Sequence, residues 1–201
     1  MSVQVVEVQV SRQKFEREIE DWRRNSADHT RRGIFLVEAT FPKVFAVFAA
    51  PHHAPPSVMF AVELDFTNYD VWPPSVRFIN PFSREPYRPG QLPPIVRVNP
   101  AGTAISLQVS VELAVLHQTN APDGEAFMCM PGVREYHLHP AHDGDSWLLH
   151  RGTGAGTLFH ILDKLHEFGI APIGLNWVLQ PQFAVMPQLL TQLQPVLEVQ
   201  Q

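Results

Sequence analysis

The stretch from Cys129 to Trp147, CMPGVREYHLHPAHDGDSW, concentrates more groups able to do chemistry than any other part of the chain. It holds the single cysteine and three of the ten histidines, His137, His139 and His142. Imidazoles spaced H-x-H-x-x-H, with Cys129, Asp143 or Asp145 as a fourth donor, offer a candidate zinc set. On an extended strand the two imidazoles of H-x-H share one face, which suits a metal. The spacing fits no standard zinc pattern closely, and no second pair of cysteines accompanies it. Histidines in an irregular loop serve equally well as hydrogen-bonding braces. The third chemistry is that of the thiol itself. A lone cysteine is ordinarily a small buried hydrophobe. Cys129, however, precedes a Met-Pro-Gly turn signal that places it at a strand end, within reach of a partner. Asn120, Asp123 and Glu125 crowd it on one side, and Arg134, His137 and His139 on the other. A nearby guanidinium or imidazolium favours the thiolate, the nucleophilic form.

The segment His137-Leu138-His139-Pro140, with Ser146 downstream, resembles the H-x-H-P motif of JAMM metalloproteases of the deubiquitinase type. That resemblance implies two histidines and an aspartate on zinc, and a glutamate that directs the attacking water. Here Ser146 stands one residue closer to His139 than in the motif, and Leu149 occupies the place of the zinc-binding aspartate.

The elements that must position these groups follow from periodicity. Residues 11–24 are expected to form a surface helix, since Phe15, Ile19 and Trp22 make one apolar stripe at i, i+4 and i+7. Ser11 is the expected N-cap, and the following NSADHT breaks the helical pattern. From Gly33 the period changes to that of strands in GIFLVEATF, KVFAVFAAP and SVMFAVELDF, and the short spacings favour antiparallel hairpins. A proline-rich region follows, with two PP-x-V-R segments (Pro73–Arg77 and Pro93–Arg97) that read as similar edge strands. TAISLQVSVELAVL alternates as a further strand. Residues 154–169 read as a helix with Leu158, Leu162 and Leu165 on one face and Gly169 as C-cap. MPQLLTQLQPVLEV reads as a short proline-interrupted amphipathic helix. The order of helix, antiparallel sheet, irregular segment and helices is α+β.

Composition bounds the class. A chain of 201 residues with 45% hydrophobic content can bury one substantial core. Nineteen prolines against eleven glycines favour extended segments and stiff turns over long helices. A formal charge of −5, from 15 basic and 20 acidic residues, gives no general field for nucleic acid or an anionic membrane. One cysteine excludes an intrachain disulfide and fits a reducing compartment. The N-terminus lacks the basic start and apolar core of a signal peptide, and no apolar run approaches the roughly 20 residues of a membrane helix. A cytoplasmic location is expected.

Taken in order, the helix RQKFEREIEDW, the strand run FAVELDFTNYDVWPPSVRF with its aromatic and paired prolines, LHQTNAPDGEAFMC, Trp147 and the 154–169 helix resemble the ubiquitin-conjugating (UBC-fold) enzymes. The Cys129–Trp147 stretch resembles bacterial members of that superfamily, from operons that also encode a ubiquitin-like protein and an activating enzyme. The resemblance covers residues 10–170. It implies a single UBC-like domain over 1–201, with a proline-rich insertion at 79–105 and a C-terminal helical extension at 171–201. It also implies that Cys129 accepts a ubiquitin-like protein as a thioester from an activating-type enzyme and passes it to an amine of a protein target, without a cofactor. Asn120 is the implied oxyanion donor, with Asn99 in VNP and Asn80 in INP as alternatives. His137, His139 or Asp145 is the implied base, and Arg134 the group that lowers the thiol pKa. A UBC-fold binding module without activity is the non-enzyme alternative, and would make Cys129 incidental.

Overall fold

A computed structural model describes residues 4–88, 91–92 and 126–171. Helix α1 (Val8–Arg24) is followed by a short α2 (Ser26–Arg31). Four strands come next: β1 (Ile34–Thr40), β2 (Lys43–Ala50), β3 (Ser57–Asp65) and β4 (Ser75–Ile79). They form one antiparallel sheet in sequence order, as the short connections between the apolar runs require. The chain then contributes α3 (Arg134–His137), a 3-10 turn (Pro140–His142), α4 (Trp147–His150) and α5 (Leu158–Gly169). The molecule is an α+β protein with an N-terminal helix. Among the described residues no helix is long and apolar enough to cross a membrane.

Period-two alternation divides the sheet into two faces. Val44, Ala46 and Phe48 of β2, Phe60, Val62 and Leu64 of β3, and Val76 and Phe78 of β4 enter the main core. Phe45, Ala61 and Ile79 form a smaller cluster, and the Arg84 guanidinium lies 3.4 Å from the Phe45 ring centroid. Phe48 and Phe60 are register partners in β2 and β3 and stack at 4.8 Å, with Phe78 edge-on to Phe60 at 5.8 Å. All three are at most 1% exposed, and such burial contributes roughly 2–3 kcal/mol per ring. The apolar stripe of α1 (Phe15, Ile19, Trp22) and the buried face of α5 (Leu158, Ile161, Leu162, Leu165) complete this core.

Several local expectations are corrected. NSADHT does break the first helix, which ends at Arg24, and after Asn25 it forms a short helix of its own, α2. Ser11 lies inside α1, buried, while Glu7 occupies the N-cap position. The α5 helix begins at Leu158, where Thr157 Oγ1 caps His160 N–H, and Gly169 is its last residue with Ile170 as C-cap. His137 ends a helical turn and His139 follows it, so H-x-H is not a strand pair. The second PP-x-V-R segment, residues 103–116 and residues 186–199 lie outside the described residues, as do His117, Asn120 and Asp123.

Candidate functional site: a thiol–imidazole pair in the loop after the sheet

The loop of residues 66–74, between β3 and β4, is the anchor for the reactive stretch. Arg134 is 7% exposed and donates from Nε to Pro73 O (3.1 Å) and from Nη2 to Thr67 O (2.8 Å). Its backbone N–H donates to Pro74 O at 2.8 Å. Next to it, the half-buried Glu135 carboxylate accepts from Val76 N–H (3.1 Å) and the Ser75 hydroxyl at the start of β4. Burial raises the pKa of that carboxyl above its ordinary value, against these hydrogen bonds. Trp147 donates its indole N–H to Asp70 O at 2.9 Å, fixing α4 to the same loop. Asp70 also pairs with Lys14 and, at 2.9 Å, with Arg151. Thus α1, α3, α4 and the residues after α4 all converge on one connection.

Cys129 lies two residues beyond an isolated antiparallel bridge between Phe127 and Arg77, so it stands where extended chain gives way to loop. It is half-buried, flanked by the buried Met128 and Met130. Its Sγ lies 3.2 Å from Nε2 of His142. The His142 ring stacks on Tyr136, centroid to centroid 3.9 Å at 24°. Tyr136 donates its hydroxyl to Asp145 Oδ2 at 2.7 Å, and the other oxygen of Asp145 meets His150 Nε2 at 2.6 Å. These hydrogen bonds, Tyr136 first and His150 second, hold the Asp145 carboxyl below its ordinary pKa. The same bond to Asp145 leads the effects that push the Tyr136 phenol up to about 12. The thiol and the Tyr136 ring therefore flank the His142 imidazole, and the Asp145 carboxylate in turn holds Tyr136 and His150.

Two roles expected from sequence change here. Burial pushes the Cys129 thiol pKa up, the opposite of the expected depression. The guanidinium of Arg134 does not supply it, because that group is committed to the carbonyls of the β3–β4 loop. His137 is a brace. Its Nε2 accepts the Gly132 N–H at 3.1 Å, so Nδ1 carries the proton and donates to Asp145 O at 2.9 Å. His139 accepts Ala141 N–H on Nδ1 at 3.2 Å, and its ring lies 5.6 Å from that of His142. Asp145 belongs to the cluster, but through Tyr136 and His150. Asn80 uses Oδ1 to accept Phe82 and Ser83 N–H in its own turn. Asn120 and Asn99 lie outside the described residues.

Among the described residues no group of three His, Cys, Asp or Glu side chains is arranged to hold a metal ion. Both nitrogens of His137 are engaged within the protein, which removes a lone pair that the H-x-H-x-x-H and H-x-H-P readings need. Ser146 serves as the N-cap of α4, accepting Leu148 N–H at 3.3 Å.

From sequence, His142 is expected only as a third metal ligand or a loop brace and His150 only as a loop brace, while Tyr136 carries no expected role. The Cys129–His142 contact spans 13 residues and depends on two turns. One of them requires Gly132, at φ +92°, where a Cβ would stand 2.3 Å from Ala155 O. The density of histidine was the available signal, and it did not indicate which ring would face the sulfur.

The fold and site define an α+β protein whose post-sheet loop carries a half-buried thiol paired with an imidazole. The chain belongs to the Y4jH-like family, whose model matches residues 6–173, from before α1 to beyond α5. It is 43% identical over 178 residues to the uncharacterized protein y4jH of Sinorhizobium fredii (strain NBRC 101917 / NGR234), covering 85% of this chain and 87% of that protein.

Proposed function

We propose that Cys129 is the acyl-carrying nucleophile of a ubiquitin-conjugating-like enzyme, with His142 as its proton acceptor. The observation that carries this reading is the 3.2 Å approach of Cys129 Sγ to His142 Nε2 in a partly accessible loop. The order of an N-terminal helix, a four-stranded meander, paired prolines, the cysteine, Trp147 and a closing helix supports the UBC-like assignment. In the first step His142 takes the thiol proton while the sulfur attacks the thioester carbonyl that an activating-type enzyme holds at the C-terminus of a ubiquitin-like protein. The new C–S bond forms and the donor thiolate leaves, taking up a proton. In the second step an amine of the target attacks the Cys129 thioester, loses a proton to His142, and expels the Cys129 sulfur.

The raised thiol pKa fits a carrier. A thiol that stays protonated until a base engages it resists adventitious modification, and a sulfur of higher pKa is the poorer leaving group. Asn120 remains the proposed oxyanion donor. The inactive binding module is the second reading, in which Cys129 is incidental and its burial, which raises the thiol pKa, is that of an ordinary packed side chain.

The experiment mixes the protein with the activating-type enzyme, the ubiquitin-like protein and ATP, then resolves it without reductant. A discrete adduct that dithiothreitol removes, and that Cys129→Ser converts to a dithiothreitol-resistant ester, is the expected result. Absence of any Cys129-dependent adduct favours the binding module.

A further inference from the structure

A second concave site lies among α2, the turn after β2, and α5 with the residues that follow it. It encloses about 670 Å³, within the size range of small-molecule pockets, and shares no residue with the thiol site. Its wall contains His29, which is 3% exposed and has no hydrogen-bond partner on either ring nitrogen. That imidazole lies flat on Trp22, centroids 3.6 Å apart at 12°, with Phe159 5.9 Å away. Polar atoms buried in a protein are ordinarily hydrogen-bonded, so a doubly unpartnered imidazole in a pocket wall calls for an explanation. A phenyl ring would keep the stack without stranding two nitrogens.

The remaining wall groups are mostly donors. Arg32 is held by Nη2 between Asp163 Oδ1 (2.6 Å) and His166 Nδ1 (3.0 Å). Because Nδ1 of His166 faces a guanidinium N–H, neutral His166 carries its proton on Nε2 and presents a donor. Arg31 and His52 also line the site, and Asp28, its one lining carboxylate among the described residues, is paired with Arg31. Pro51, Phe159 and Ile170 supply apolar wall. Burial, and then the charge of Arg32, lower the pKa of His29, so its ring is neutral, with one donor and one acceptor nitrogen.

From this arrangement we infer that the α2–α5 pocket binds a small organic anion, a carboxylate or phosphate monoester on a flat apolar body. The anionic group meets Arg32 and His166, the body lies against Phe159 and Pro51, and a polar group of the ligand supplies the partner that His29 lacks. Arginine suits this task because its planar fork matches carboxylate and phosphate oxygens.

The test uses the full chain with benzoate and phenyl phosphate as probes, benzamide and inorganic phosphate as controls, and the imidazole resonances of His29 and His166 with Trp22 fluorescence as readouts. Benzoate or phenyl phosphate should bind saturably with a Kd of about 1 mM, the range expected of fragments this small. Benzamide and inorganic phosphate should bind at least tenfold more weakly. Arg32→Gln should weaken binding by about tenfold or more. His29→Phe should weaken it too while raising the melting temperature, since it removes two stranded nitrogens and retains the stack. The inference is overturned if neither organic anion binds saturably, if benzamide or inorganic phosphate binds as well, or if binding survives both substitutions. A lower melting temperature for His29→Phe with unchanged binding also overturns it, by making the imidazole a structural group.

Discussion

Nε2 of His142 faces Sγ of Cys129 across 3.2 Å, and the face of that imidazole is covered by the ring of Tyr136, stacked 3.9 Å away. The sulfur is half-buried and burial raises its pKa, so the thiol rests protonated with the His142 imidazole within reach of its proton.

The rate of Cys129 alkylation by iodoacetamide should therefore rise through a midpoint above that of an unperturbed cysteine. His142→Ala should slow acyl exchange from a small peptide thioester onto Cys129 by on the order of 100-fold, the scale of one general base. A midpoint at or below the ordinary thiol value, or exchange unaffected by His142→Ala, contradicts the pairing.

Arg134 should prove to be an anchor. Its guanidinium satisfies the carbonyls of Thr67 and Pro73 from a buried position. Arg134→Ala should lower unfolding free energy by about 3 kcal/mol, because it leaves those acceptors unsatisfied. Urea titration measures the loss. In the folded fraction the Cys129 alkylation midpoint should stay where it is, and a marked upward shift would return Arg134 to the role of thiol activator.

Gly132→Ala should dismantle the site locally. At φ +92° the backbone is strained for any L side chain, and the added Cβ would meet Ala155 O at 2.3 Å. A cost of about 2 kcal/mol is expected. Loss of the Gly132 N–H to His137 contact should appear as faster amide exchange across 130–145.

Asp145 ties stability to pH. Its folded pKa is depressed from the ordinary value of 3.8, chiefly by the Tyr136 hydroxyl and then by His150. A depressed carboxyl contributes stability that is fully present above its unfolded pKa and is lost as pH falls through the folded one. Urea midpoints measured from pH 5 downward should fall less steeply in Asp145→Asn than in the wild type. Parallel curves would show that the carboxylate gains nothing on folding.

The class of fold was legible because it rests on local periodicity. Strands β1 to β3 lie where alternating Val, Ile and Phe begin and end, and the stripe Phe15, Ile19, Trp22 marks the buried face of α1 wherever the helix packs. Connections of two to six residues between β1, β2 and β3 leave antiparallel hairpins as the available pairing. The sequence also singles out Cys129 as a candidate, the single thiol amid polar neighbours.

What periodicity does not contain is which side chains meet across turns. Only the folded loop decides that His142 faces the sulfur while His137 turns both nitrogens to backbone groups, and that Arg134 leaves the thiol for carbonyls over 60 residues upstream. The burial that raises the thiol pKa is likewise a property of packing. Neighbours three or four positions apart on a helix, or two apart on a strand, are determined by backbone geometry alone. Contacts across irregular loops depend on how each loop is anchored, here by Arg134, Glu135 and Trp147 on the β3–β4 connection and the start of β4.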